Sequence, residues 1–452
     1  MTKRERRALR RRDFIVNSGL SAAALLMGCA DPEDPKSQPD MPAGDDLGGA
    51  DMAADLEADL EADQAPDQPA ALVSPITKLP WVQLMDAGSA RLRFESNGMT
   101  ALPVTITRDA AQVVAPTLRI DEVAFSWPRS GSLKKRTKYP DDPGTYTMQD
   151  VMLTVLKPGE LVRWSVGDDV TVPKLEGSFK APPAVGSPVR IGWVSDTMMP
   201  TSEAVALMLA GLKPELLLHG GDIQYMTNPY DTWSGAINAF APVTQNAPIH
   251  YCIGNHEYEE QEEFEGQYVR LFGAHGEADR TVDYHVINYG SLRFFMLNSE
   301  IEMADPESVQ NKWLRGHLES LPAGVIPVVA FHRPYFTFSR SKPNFQTRDL
   351  MHPLLREHGV KLVLTGHNHG YERFEFEGIQ YIVDAGGGAL IYDVDDGKED
   401  VLAARPGDAD LRKAVSSTYG ALIIEADAAG NLAIKRYDLD GVVVDSITIA
   451  AT

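Results

Sequence analysis

Histidine is absent from the first 218 residues of this 452-residue chain; all eleven lie at or beyond His219. Imidazole chemistry, whether proton transfer or metal binding, is therefore confined to the second half. Cysteine is nearly absent too. Only Cys29 and Cys252 occur, which excludes the disulfide framework of a small secreted scaffold. Such a chain must be held by a large core and by any metal it binds. Cys252 sits in the apolar run "IHYCIG" and reads as a buried, inert thiol. Basic patches are missing from the body of the chain. With a net charge of −22, nothing resembles the footprint of a nucleic-acid-binding module. Much of that charge is local. Residues 31–70 hold thirteen acidic side chains against one basic, Lys36, and no aromatic, so this segment supplies −12 of the −22.

What is present begins with a dense basic cluster, "MTKRERRALRRRDFIVNSG", then an apolar run from Ile15 to Gly28, then Cys29. That is the layout of an export signal, and the run is shorter than the ~20 residues a membrane-spanning helix needs. "RRDFI" resembles a twin-arginine motif and "LMGC" a lipobox with Cys29 as the lipidated residue. The expectation is export by the twin-arginine route. The protein would then be periplasmic or at the cell surface, attached through Cys29 to a bacterial membrane. An uncleaved membrane anchor is the alternative. Residues 1–29 are then the signal. Residues 30–70, acidic, repetitive and rich in Pro, Gly and Ala, are a disordered tether.

Residues 71–185 carry strand patterns separated by Gly, Pro and Asp: "SARLRFES", "LPVTITRD", "QDVMLTVL" and "LVRWSVG". They predict a small β-sandwich. The Pro-rich "KAPPAVGSP" marks its end. From 187 to 452 the pattern changes to strands alternating with helices. "VRIGWVSD", "ELLLHGGD", "APIHYCIGNHE", "IPVVAFHRP" and "VKLVLTGHNH" are strands; "SEAVALMLAGL", opened by Ser202, and "TRDLMHPLLREHG" are helices. One α/β domain is predicted. The acidic "DVDDGKED" at 393–400 misses the spacing of a calcium loop and reads as a solvated loop.

The chemically suggestive side chains of this second part fall just after its strands. Asp196, Asp222 and Tyr225, Asn255 and His256, His332, and the pair His367 and His369 each follow an apolar run. Loops at the carboxyl ends of strands in an α/β sheet converge on one place. In an extended strand, residues i and i+2 share a face, so His367 and His369 are expected to project from the same side. Two carboxylates, a phenol, an amide and three imidazoles suit two adjacent metal ions. Such a pair clamps the attacking and leaving oxygens of an in-line displacement.

In order, "GGDIQY", "GNHE", "FHRP" and "GHNHGYER" resemble the motif series of calcineurin-like metallophosphoesterases, and Tyr225 with "GHNHGYER" resembles the purple acid phosphatase branch. The resemblance implies a four-layer α/β (α+β) sandwich, preceded by an all-β fibronectin type III-like domain. It implies that Asp196, Asp222, Tyr225 and His369 hold a first ion, Fe(3+). Asp222, Asn255, His332 and His367 hold a second, Zn(2+), Mn(2+) or Fe(2+), with Asp222 bridging. His256 is then not a ligand; it contacts the substrate phosphate or assists proton transfer. The activity implied is hydrolysis of a phosphate ester, hydroxide attacking phosphorus in line. His219 is left between a support for these ligands and a satisfied core imidazole. Glu257, Tyr371, Glu372 and Arg373 are expected to orient the loops.

Two departures from the family pattern stand out. The first motif reads "SDTMMP" where glycines flank the Asp in the family. After His332, "RPYFTFSRSKPNF" lacks the histidines that hold phosphate and protonate the leaving group; Arg333 and Arg340 are the available substitutes. A phosphodiesterase or nucleotidase of the same fold therefore stays open, as does a non-catalytic, metal-holding surface protein.

Overall fold

The structure is a computed structural model. It describes residues 74–98, 100–108, 117–123, 144–225, 232–258, 268–273 and 283–451. All of them lie in one compact unit, Pro69–Thr452. The export signal, the lipobox and the acidic tether lie outside the described residues. Among the described residues, no helix is long and apolar enough to cross a membrane.

Seven strands come first: β1 (Ile76–Leu84), β2 (Ala90–Asn97), β3 (Val104–Thr107), β4 (Thr117–Val123), β5 (Gly144–Leu153), β6 (Leu161–Val166) and β7 (Leu175–Lys180). They form two antiparallel sheets, β1-β2-β5-β4 and β3-β6-β7. Alternation decides the faces. In β3, Val104 and Ile106 are buried while Thr105 and Thr107 are exposed.

The remaining strands are β8 (Val189–Val194), β9 (Leu216–His219), β10 (Ile249–Tyr251), β11 (His285–Tyr289), β12 (Leu292–Met296), β13 (Ile326–Ala330) and β14 (Leu362–Thr365). Then come β15 (Tyr371–Phe376), β16 (Ile379–Asp384), β17 (Arg412–Ser416), β18 (Gly420–Ala426), β19 (Leu432–Asp438) and β20 (Val443–Ile449). They build two mixed sheets, ordered β10-β9-β8-β18-β19-β20 and β11-β12-β13-β14-β16-β15-β17. The strands that lead to the site are parallel within each sheet: β10, β9 and β8 in one, β13 and β14 in the other.

The layering follows from period-2 burial. Leu216 and Leu218 of β9 face an inner core with Phe294, Met296, Val328, Ala330, Leu362 and Leu364 of the other sheet. Their neighbour Leu217 points the other way, onto Val205, Ala206 and Leu209 of helix Thr201–Leu212. On the far sheet Phe295, Val329 and Val363 point outward onto Leu314 and Leu318 of helix Val309–Glu319 and Met351 and Leu355 of helix Phe345–Glu357. Helix, sheet, sheet and helix are thus four layers, and strands buried on both faces read as continuous apolar runs. Each fully buried Leu or Phe contributes about 1.5–3 kcal/mol.

Side-chain caps start two of these helices: Ser308 accepts from Asn311 N–H and Asn344 from Thr347 N–H. The expectation that Ser202 opens the first helix is not met. That helix begins at Thr201, and the Ser202 hydroxyl lies inside the first turn, 3.2 Å from Met199 Sδ. The acidic stretch 393–400 is also not wholly a loop. It turns at 394–397 and then enters helix Lys398–Ala404, with Glu399 and Asp400 in the first turn, where the helix dipole favours them.

The front strands are sutured to the rest. Leu79 N–H donates to Asn238 Oδ1, Leu84 N–H to His250 Nε2, and Arg93 Nη1 to the Leu271 carbonyl. At the other edge, Tyr371 and Arg373 of β15 both donate to Asp445 of β20, tying the two mixed sheets together.

Candidate metal centre

Five loops meet where the carboxyl ends of the two mixed sheets come together. Those after β8, β9 and β10 bring Asp196, Asp222 and Asn255; those after β13 and β14 bring His332 and the His367–His369 pair. Backbone bonds lock them to one another. Asp196 N–H donates to the Gly221 carbonyl, Thr197 N–H to Asp222, Gly366 N–H to His332, and Ala389 N–H to Asp196.

Three of the residues hold left-handed backbone: Asp196 (φ 59°), Asp222 (φ 52°) and His367 (φ 70°). Non-glycine residues adopt this region at a cost of about 1–2 kcal/mol each, less for Asp. The strain concentrates where the loops must turn side chains toward one point. The same-face expectation for the histidine pair assumed an extended strand, but strand β14 ends at Thr365 and His367 turns left-handed, and the two rings meet different partners.

His367 meets His332, ring centroids 5.1 Å apart, and Asp222, His332 and His367 offer ligand atoms within 4.8 Å of one another. His369 instead meets Tyr225, its Nε2 lying 2.9 Å from the phenol oxygen and 3.4 Å from Asp196 Oδ1. The seven candidate ligands thus form two adjoining groups. They are stitched together by His367 N–H, which donates to Asp196 Oδ2.

Acceptor atoms converge in both groups. His332 Nδ1 donates to the Gly220 carbonyl, which leaves Nε2 to face Asp222 Oδ2 and Asn255 Oδ1, both at 3.2 Å. His369 Nδ1 donates to the Leu390 carbonyl, which leaves Nε2 to face the Tyr225 oxygen. That hydroxyl has one proton, and it goes to Asp196 Oδ1 at 2.9 Å. Nearly unprotonated clusters of carboxylate, amide oxygen, imidazole and phenol fit cations.

The titration behaviour agrees. Burial opposes the charge of His332, but the Asp222 carboxylate beside it pushes its pKa up to about 10. Burial likewise opposes the charge on Asp222, yet His332 and His256 hold it well below the usual carboxylate range. For Tyr225, burial and then Asp196 and Asp222 push the phenol well above its ordinary value.

Supporting residues explain the short motifs. Buried Glu257 accepts N–H bonds from Asp222, Ile223 and Gly254, fixing the "GGD" loop against "GNHE". Gly254 is required for space: a Cβ there would lie 2.2 Å from Asp222 Oδ1 and 2.4 Å from Asp222 N. His256 differs from the ligands. Its N–H donates to Asp222 Oδ1, while its ring is over a third exposed and lies against Tyr225, centroids 4.3 Å apart. His219 is a support. Its Nδ1 accepts from Gly221 N–H and its Nε2 donates to Thr197 Oγ1, so both nitrogens are used. Glu372 accepts from Thr337 and Phe338 and so fixes the 337–341 loop. Asn368, between the two histidines, bonds Thr337 and Ser341 of the same loop.

Around these ligands lie Arg333 and Arg340, both expected from the sequence, Ser195 of the departing first motif, and Tyr392, which had no signal there. Ser195, where the family has glycine, donates to Asp196 Oδ2. Tyr392 stacks on His369, centroids 4.0 Å apart, and Arg340 lies over the other ring of that stack. Arg333 lies with Nη1 3.1 Å from His367 Nε2, its Nε held by the buried carboxylate of Glu300.

Residues 189–371 match the family model described as "Calcineurin-like phosphoesterase". Purple acid phosphatases are among the chain's homologues. Purple acid phosphatase 22 of Arabidopsis thaliana is 28% identical over 213 residues, 44% of this chain and 48% of that protein. A protein named "Probable inactive purple acid phosphatase 9" from the same plant is 28% identical over 196 residues, 36% of this chain and 30% of that protein. The chain therefore spans less than half the length of either relative. The purple acid phosphatase PPD1 of yellow lupin seeds shares the fold, with a TM-score of 0.67 at 17% identity, over 83% of this chain and 74% of that one.

Proposed function

We propose that this protein is an exported hydrolase of phosphate esters, acting as a phosphomonoesterase at a dinuclear metal centre. The observation that carries the reading is the convergence of the Asp222, His332 and His367 ligand atoms within 4.8 Å, beside the Asp196–Tyr225–His369 group. Asp196, Asp222, Tyr225 and His369 would hold the first ion, Fe(3+). Asp222, Asn255, His332 and His367 would hold the second, Zn(2+), Mn(2+) or Fe(2+). When bound, such ions supply Lewis-acid polarisation of the phosphoryl group and a lowered pKa for water.

The chain's own residues do the rest. Asp222 is held from three sides, by Glu257 on its backbone and by His256 N–H and His332 Nε2 on its carboxylate. Its position is thereby set before substrate arrives. His256, over a third exposed and against Tyr225, would contact the phosphate or move a proton. Arg333 carries charge beside the His367 end and stands in for the missing histidines.

Assay of metal-loaded protein with 4-nitrophenyl phosphate and bis(4-nitrophenyl) phosphate across pH tests the reading. Faster release from the monoester supports it, and faster release from the diester favours a phosphodiesterase of the same fold. No release from either favours a metal-holding protein without catalysis; one relative is itself named "Probable inactive purple acid phosphatase 9".

The front strands would be a fibronectin type III-like domain over 71–185, ahead of a catalytic domain over 187–452. Twin-arginine export and lipidation at Cys29, with residues 30–70 as a tether, complete the proposal. Metabolic labelling with a palmitate analogue in expressing bacteria should mark the wild type and not Cys29→Ser; equal labelling of both removes the anchor.

A further inference from the structure

The loop that leaves β16, residues 385–392, runs against one ligand group only. Gly387 N–H donates to the Ser195 carbonyl, Ala389 N–H to the Asp196 carbonyl and Tyr392 N–H to the His369 carbonyl. In return His369 Nδ1 donates to the Leu390 carbonyl at 2.7 Å. The approach is close: a Cβ on Gly387 would lie 2.2 Å from the Ser195 carbonyl oxygen. The other group is held from elsewhere. His332 is fixed by Gly220 and Gly366, and His367 by Asp196 and Arg333. Among the described residues, no hydrogen bond joins 385–392 to His332, His367 or Asn255.

Tyr392 adds a side chain to this clamp. Its ring lies flat on the His369 imidazole, centroids 4.0 Å apart and planes 20° from parallel. The Arg340 guanidinium carbon lies 5.4 Å from the Tyr392 centroid. Tyr225 meets the same imidazole edge-on, centroids 5.5 Å apart. His369 Nε2 must point at the Tyr225 oxygen and Asp196 Oδ1 to share a cation with them. Turning the imidazole about its Cβ–Cγ bond swings Nε2 off that direction. It also drives the ring into the Tyr392 face, and ring carbons resist approach closer than about 3.5 Å. A single hydrogen bond at Nδ1 leaves such rocking open; a flat wall closes it.

We propose that Tyr392 is a positioning residue for the first ion and not for the second. Its ring holds the His369 imidazole with Nε2 toward Asp196 and Tyr225. The proposal rests on the two-ion reading above. Tyr392 acts through His369 and takes no part in bond breaking.

Zinc, which suits both donor sets, is the probe. Equilibrium dialysis of the metal-free full chain against graded free Zn(2+) reads two binding steps. Removing a group that orients a metal-binding histidine costs about 10–100-fold in metal affinity. Tyr392→Ala should therefore weaken one step by about tenfold or more and leave the other within about threefold of wild type. Tyr392→Phe keeps the flat ring and should stay within about threefold in both steps. Where His369→Ala has already removed the imidazole, adding Tyr392→Ala should shift the remaining zinc binding by less than about threefold. If Tyr392→Ala does not fold, Tyr392→Leu, bulky but not flat, should show the same one-step loss.

Two unchanged steps in the folded variant, or an equal loss in both, would overturn the proposal. So would a loss that persists in the His369→Ala background, or a Tyr392→Phe that loses as much as Tyr392→Ala. A wild type that binds no zinc removes the two-ion reading and the proposal with it. Two bound ions and the one-step loss, without hydrolysis of 4-nitrophenyl phosphate or its diester, keep the proposal and remove the hydrolytic reading. Two bound ions with hydrolysis and no one-step loss do the reverse.

Discussion

Replacing Gly254 by Ala adds one methyl group at the point where two loops pass closest. The new Cβ would sit 2.2 Å from Asp222 Oδ1 and 2.4 Å from Asp222 N. Carbon and oxygen not bonded to each other stay about 3.2 Å apart or more, so a displacement of about 1 Å is forced. The neighbour cannot yield cheaply. Asp222 is already in left-handed backbone, and its N–H and that of Gly254 both donate to Glu257 Oε2. Overpacking of this kind costs about 1–3 kcal/mol of stability. The larger effect is on the site, since a catalytic group misplaced by about 1 Å loses roughly a hundredfold in rate. The assay is kcat/KM for 4-nitrophenyl phosphate together with the urea unfolding midpoint. Gly211→Ala serves as control. Gly211 lies in helix Thr201–Leu212 with open space around its Cβ position, so that variant should keep full activity and gain up to about 1 kcal/mol. If Gly254→Ala behaves like the control, within about threefold in rate, the packing argument for the site is refuted.

Other consequences follow from buried charge. Arg436 and Asp384 are both fully buried, Nε to Oδ1 2.9 Å. Arg436→Met strands a carboxylate and should cost about 3–5 kcal/mol in denaturant unfolding, and a loss below about 1 kcal/mol would contradict the pairing. Glu160, gripped by the Arg108 guanidinium at both oxygens and by Lys157 N–H, is held down to about 2 from 4.5. Its contribution, about 1–2 kcal/mol near the sandwich rim, is present above pH 4.5 and lost as pH falls from about 4.5 to about 2. Glu160→Gln should therefore flatten stability against pH in that window; the wild-type slope persisting in the variant would rule the pair out as its cause.

The legible parts of the sequence were those written in local pattern. Strands such as Leu216–His219 and Leu362–Thr365 are apolar on both faces because sheets and helices cover them twice, and that shows as an unbroken run. The candidate ligands could be picked out as candidates because they follow such runs within a few residues. Other features were written in tertiary geometry. Nothing local distinguishes Tyr392, 23 residues beyond the ring it stacks on, or Glu300, which meets Arg333 only because β12 and β13 are paired. The different partners of His367 and His369 go with one left-handed residue, which period-2 reasoning cannot anticipate once the strand has ended. Ser202 illustrates a further limit: a good cap residue stands one position too late, and the helix starts at Thr201 without a side-chain cap.

The central claim is that two adjoining ligand groups share Asp222. Metal content per chain, measured by mass spectrometry on wild type and Asp222→Ala prepared alike, tests it directly. About two ions in wild type, and loss of both ions and of phosphate release in the variant, is the predicted result. Wild type without stoichiometric metal, or Asp222→Ala retaining both ions and full activity, would contradict it.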